Sequence, residues 1–174
     1  MVDEDKKTIL VVDDEEDVRR YLTTALTASG FNVITAEDGG QALEQVKKHK
    51  PDLISLDLVM PKKSGAKFHR ELVKNKDWAK IPVLIVTGHA RDDLGKADLK
   101  SLTMSGPGIY LEKPVKPDNY IAAIKKLLNM DSSEEESKLA DKLELQSELK
   151  NLIDDADPEM LEKLKAMMKN KDKS

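Results

Sequence analysis

Five short runs of β-branched and apolar residues alternate with stretches of helical periodicity, which predicts an α/β protein with a five-stranded parallel sheet and helices on both faces. Two observations carry that reading. Each apolar run is too short for a helix and is bounded by turn residues, as Pro51 and Pro61 bound the central one. The order strand, helix, strand repeats along the chain, so the crossovers should be right-handed.

The elements follow in order. Residues 8–12, Thr-Ile-Leu-Val-Val, read as a strand, and Asp13, Asp14, Glu15 and Glu16 suit its end and the first turn of a helix. Val18, Tyr21, Leu22, Ala25 and Leu26 recur at helical spacing up to Gly30, a C-terminal stop. Residues 32–36 form a second strand and Gly39-Gly40 a turn, after which Ala42, Leu43 and Val46 make the buried stripe of a helix ending near His49. Residues 53–56 are the third strand. Ser64-Gly65 opens a helix carrying Phe68, Leu72 and Val73, and residues 81–86 form a fourth strand ending at Thr87. A weaker helix over residues 91–102 contains Gly95, and Ser105-Gly106-Pro107-Gly108 is loop chemistry before a fifth strand at 109–111. Pro117-Asp118 starts a helix with Ile121, Ile124 and Leu128 on one face.

The chemistry concentrates where the third strand ends. Asp57 sits at the carboxyl end of that strand, where open α/β sheets place their ligands; taken alone it reads equally as an acid that ends a strand. With a flavodoxin-like strand order of 2-1-3-4-5, the first and third strands are neighbours roughly 5 Å apart, and Asp13, Asp14 and Asp57 converge. Three carboxylates so close repel one another unless a hard cation sits among them, and oxygen ligands that leave room for water suit Mg²⁺, with Mn²⁺ as a substitute.

The acidic pair Asp13-Asp14, the run Asp-x-x-Met-Pro-x-x-x-Gly over residues 57–65, Thr87-Gly88 after the fourth strand and Lys113-Pro114 after the fifth together resemble the receiver domain of bacterial two-component response regulators. The resemblance covers about residues 6–130, and the strand order 2-1-3-4-5 is one this family shares with flavodoxin. It implies that Asp57 is the nucleophile that takes a phosphoryl group from a phosphohistidine on a sensor histidine kinase or phosphotransfer protein. It implies Mg²⁺ held by Asp14, Asp57 and the Val59 backbone carbonyl, with Asp13 reaching the ion through water. Lys113 would pair with one phosphoryl oxygen and the Thr87 hydroxyl with another, and Lys113-Pro114 would be a cis bond. Thr87 and Tyr110 would be the switch pair that reports the phosphate to the face built from the fourth helix, fifth strand and fifth helix. The chain departs from the family between Thr87 and Lys113, where it is a few residues longer. His89 reads as an exposed loop residue, and His49 and His69 as helix-surface residues.

Composition narrows the partners. The chain has 174 residues, no cysteine and a net charge of -4, which excludes disulfides and thiolate metal sites and gives no basic footprint for nucleic acid. Only Tyr21, Phe31, Phe68, Trp78, Tyr110 and Tyr120 could stack on a base. No charged-then-apolar leader follows Met1 and no apolar run spans a bilayer, so the sequence reads as soluble and cytoplasmic, without membrane insertion. The receiver is expected over residues 1–130, and residues 131–174 form an acidic extension with 13 acids against 8 lysines. Ser132 or Ser133 with Glu135 or Glu136 makes a capping box, and Leu139, Leu143, Leu149, Leu152, Ile153 and Ala156 are expected on one broad helical face. A second helix starts at Asp157-Pro158 with Met160, Leu161, Leu164, Met167 and Met168. Such faces should dock, either against a second copy as a homodimer, which the continuation from the preceding helix favours, or back on the receiver. A short acidic segment argues against a DNA-binding effector and points to output by protein contact rather than to an enzyme. The rival reading is a haloacid-dehalogenase-like aspartyl phosphohydrolase, which needs an acid two residues after its nucleophile; here that position is Val59.

Overall fold

The computed structural model describes residues 5–61, 64–88, 109–155 and 157–171. Within them, β1 (Thr8–Val12), β2 (Asn32–Ala36), β3 (Leu53–Leu56), β4 (Val83–Thr87) and β5 (Tyr110–Glu112) form one parallel sheet in the order β2-β1-β3-β4-β5. Successive strand residues point to opposite faces, so each strand feeds two cores. Leu10, Val12, Ile54, Leu56 and Ile85 pack beneath α2 (Gly39–His49) and α3 (Ser64–Lys74). Ile9, Val11, Leu53, Leu84 and Val86 pack beneath α1 (Glu16–Ala28) and α4 (Pro117–Leu127). That two-sided burial is why the strands read as continuous apolar runs.

The helix ends follow local chemistry. Asp38 caps α2 by accepting from the Gln41 N–H at 2.8 Å, so Gly39 and Gly40 are the helix's first turn rather than the loop expected of them. A side chain at Gly39 would meet the Ser64 carbonyl at 2.5 Å, which lets α2 and α3 approach backbone to backbone. Gly30 takes φ +89 after α1, the left-handed conformation its stop signal requires. The fifth strand begins one residue later than the periodicity placed it. The expected helix at 91–102, His89 and the loop at 105–108 lie outside the described residues.

Two expectations about burial are corrected. His69 is not on the surface of α3 but buried, because positions 65, 68, 69 and 72 form one stripe and His69 lies on it; Val73, expected inside, is 40% exposed. His49 is exposed as expected.

The C-terminal segment forms α5 (Glu134–Asp155) and α6 (Pro158–Lys171). The expected capping box is present, with the Glu136 N–H donating to Ser133 Oγ at 3.1 Å and the Ser133 N–H to Glu136 Oε2 at 3.0 Å. α5 turns back and packs on α4 and β5, with Ala140 and Leu143 buried and Leu139 half-buried. The expected single leucine face divides: Leu149 and Leu152 are 48% and 65% exposed. Six residues separate Leu143 from Leu149, about 240° around the helix axis, so the two cannot face one partner.

Candidate functional site

The crevice lies at the carboxyl ends of β1 and β3, which are paired so that Val12 stands beside Leu56. The next residues along each strand, Asp13 and Asp57, are therefore forced side by side. Each is anchored by its backbone: the Asp13 N–H donates to Ala36 O and the Asp57 N–H to Val12 O. Their residues are 1% and 3% exposed. Asp14 and Glu15 are exposed at the rim, and carboxylate oxygens of Asp13, Asp14, Glu15 and Asp57 lie within 4.8 Å of one another.

Lys113 enters this cluster from the end of β5, and the Lys113-Pro114 peptide is cis. Its ammonium sits 2.8 Å from Asp13 Oδ2, 3.1 Å from Asp57 Oδ2 and 3.1 Å from Glu15 Oε1. The other Asp57 oxygen accepts the Val59 N–H at 3.0 Å. Both oxygens of Asp57 thus have a donor, which fixes the carboxylate plane. Gly65, where α3 begins, closes the loop from below; a side chain there would meet the Asp57 carbonyl at 2.3 Å and Leu58 Cα at 2.9 Å.

Burial dominates the electrostatics. It pushes the Asp57 carboxyl up to about 6, with the Asp13 charge adding to the rise and Lys113 opposing it. Asp13 is raised for the same first reason, against its hydrogen bonds to Lys113 and the Glu15 amide. For Lys113 burial works the other way and would lower it, but Asp13 and Asp57 outweigh that and hold the ammonium above the ordinary lysine range.

Of the residues singled out from sequence, Asp13, Asp14, Asp57, Val59 and Lys113 are brought together. Thr87 ends β4 in register with Glu112, and its side chain lies outside the described residues. Tyr110 is buried with its ring in the core under α2 and α3, and its hydroxyl has no hydrogen-bond partner among the described residues. Glu15 was missed: its place after an acidic pair reads as helix capping, and only the three-dimensional contact with Lys113 brings it into the site. Four carboxylates meet one cation among the described residues, all the anionic donors are oxygens, and the set fits a hard divalent ion.

A model of the response regulator receiver domain family matches residues 9–125. The probable transcriptional regulator ycf27 of Cyanophora paradoxa is 39% identical over 125 residues, which cover 71% of this chain and 48% of that protein. The chain spans about half the length of the ycf27 relatives it matches. The polar-differentiation response regulator DivK of Brucella anthropi is 30% identical over 122 residues, covering 70% of this chain and 96% of DivK. Among solved structures, a putative response regulator from Chloroflexus aurantiacus superposes with a TM-score of 0.62 at 27% identity, covering 71% of this chain and 98% of the other. With the sheet order and the site at the ends of β1, β3 and β5 already described, the chain belongs to the response regulator receiver domain family.

Proposed function

We propose that this chain is the phosphoacceptor of a two-component relay: Asp57 takes a phosphoryl group from a sensor histidine kinase or phosphotransfer protein, and the loaded receiver signals by protein contact. The observation that carries the reading is Asp57 itself, a buried carboxylate at a strand end with an ammonium 3.1 Å from one oxygen.

With an acyl phosphate as donor, an Asp57 oxygen attacks phosphorus, the bond from phosphorus to the acyl oxygen breaks, and a carboxylate leaves with the electron pair. No proton need move. Lys113, already held at the attacking carboxylate, neutralises charge on the transferred group, and the Val59 N–H keeps the second Asp57 oxygen turned away from attack. Thr87, at the end of β4, is assigned the remaining phosphoryl oxygen. Asp14, Asp57 and the Val59 carbonyl would hold Mg²⁺ or Mn²⁺, with Asp13 through water and Glu15 as a further carboxylate at the rim. When bound, the ion supplies charge neutralisation for the spread negative charge of phosphoryl transfer.

The remaining assignments belong to the same proposal. Residues 1–130 act as the receiver and 131–174 as its helical extension. The chain works in the cytoplasm; among the described residues no helix is long and apolar enough to cross a membrane. It does not read nucleic acid: the net charge is -4, and of the six aromatics Phe31, Phe68, Tyr110 and Tyr120 are buried, which leaves Tyr21 and the half-buried Trp78 to stack on a base. The exposed Leu145, Leu149 and Leu152 on α5 are where a second copy would pair. The test is loading by acetyl phosphate followed by intact-mass spectrometry. Uptake should need Mg²⁺ and vanish in Asp57→Asn; a variant loaded as fast as the wild type removes the assignment, and multiple-turnover release of phosphate from unrelated esters would move the chain to the phosphohydrolases.

A further inference from the structure

β5 is three residues long and is held from two directions. Toward the crevice, the residue that follows it is Lys113, bound to Asp13, Glu15 and Asp57. Toward the open end of the sheet it is held by α5. The Tyr110 N–H donates to Ser147 Oγ at 3.3 Å, and that hydroxyl lies 3.4 Å from the Tyr110 carbonyl and 2.9 Å from that of Leu143, either of which can take its proton. Lys150 reaches Glu112 at 2.6 Å and stands 5.5 Å from the centre of the Tyr110 ring. Along α4 the contact is a charge clamp of opposite sign: Lys125 binds both oxygens of Glu136 at 2.9 and 3.0 Å, and Lys126 binds Glu144 at 2.6 Å and Asp141. Between these lines of charge, Ala140 and Leu143 close over the apolar side of α4.

We propose that α5 is a latch on the open edge of β5 and on α4, coupled to the charge at Asp57, so that loading a phosphoryl group loosens it. This rests on the phosphoacceptor reading. A phosphoryl group on Asp57 moves the negative charge that Lys113 follows, and Lys113 is covalently one residue from Glu112 and three from Tyr110. The anchors of α5 are fitted to β5 as it stands with a bare carboxylate. Any displacement of the strand is paid in the Ser147 and Lys150 contacts, and in the loaded state the latch holds less well. What it uncovers is a surface of stated chemistry, an apolar groove beside Lys125 and Lys126, that fits an acidic amphipathic helix of another protein in the place of α5. Linkage makes the coupling reciprocal: whatever loosens α5 favours loading.

The full-length chain is loaded with acetyl phosphate and Mg²⁺, intact mass reports the loaded fraction, and hydrogen exchange is followed by peptide. Exchange over residues 136–150 should rise at least about fivefold on loading, the low end of ordinary coupling, while α1 stays unchanged. A loaded chain in which those residues exchange at the unloaded rate or more slowly overturns the latch. A chain that never loads removes the phosphoacceptor reading, and this proposal with it. In a second arm, Lys125→Glu should free α5 and tighten binding of beryllofluoride, a reversible phosphoryl mimic, with Mg²⁺ about fivefold or more, and Glu136→Gln, which keeps the capping box but gives up the ion pair, should move both readouts the same way by less. If exchange shows α5 freed in Lys125→Glu while beryllofluoride binds with the wild-type affinity, the helix is structural and the coupling is wrong.

Discussion

Replacing Asp57 by Asn gives a pH-dependent change in stability whose sign and size follow from the site. In the ion-free fold burial moves the Asp57 carboxyl from the ordinary 3.8 to about 6. A raised carboxyl stabilises the native state fully below the unfolded value, and that contribution is lost as pH rises through the folded one. The wild type should therefore weaken from about pH 4 to about pH 7, and the asparagine variant, which cannot titrate there, should lack this part of the decline. At 1.36 kcal/mol per tenfold change in proton affinity, the difference grows to at most about 3 kcal/mol, reduced by whatever water reaches the carboxylate. For a chain of this length the full difference is about 6–12 °C in Tm. The assay is calorimetry of both proteins with a chelator present, from pH 4 to pH 7.5. The curves should nearly meet at the acid end and diverge above it, with the variant the more stable. Parallel curves would show that Asp57 carries no electrostatic penalty in the fold, and the account of a desolvated acidic cluster would fail.

Other perturbations follow from particular contacts. Saturating Mg²⁺ should raise the wild-type Tm, by about 2.7 kcal/mol of stability at a hundredfold excess over Kd, and Asp57→Asn should lose most of that gain in the same thermal scan. Gly65→Ala drives a methyl into the Asp57 and Leu58 backbone, so urea unfolding should show a loss of about 1–3 kcal/mol together with slower loading at Asp57. Lys50 closes α2 with φ +45, and Lys50→Gly should raise the urea midpoint by an amount worth about 1 kcal/mol. Anisotropy titration with labelled DNA and RNA at low salt should find no binding tighter than about micromolar, the level of non-specific contacts.

The sequence made the sheet legible because the inner strands β1, β3 and β4 are buried on both faces and so show as apolar runs, and because prolines and glycines punctuate the repeats. Asp13, Asp14, Asp57 and Lys113 were legible for a related reason: each stands at or one or two residues past the end of a strand, and the strand order alone brings those ends together. His69 was legible too, since 65, 68, 69 and 72 lie on one stripe, but a polar residue type masked the position. Glu15 was not. Its role depends on where a lysine 98 residues away finally points. Back-docking of α5 was the less favoured of two arrangements the sequence left open, and which leucines it buries was hidden: Leu143 and Leu149 are equally apolar, and only the partner surface of α4 and β5 decides which turns inward.

A parallel sheet with an open end can in principle go on recruiting strands, and here one end is stopped by a helix that brings no strand of its own. Ser147 fills the outward amide and carbonyl positions of Tyr110, the groups on which a further strand would begin pairing. Chain cut before Glu134 would present that row unblunted beside the uncovered apolar side of α4. Such a fragment should stay monodisperse only at lower concentration than the whole chain.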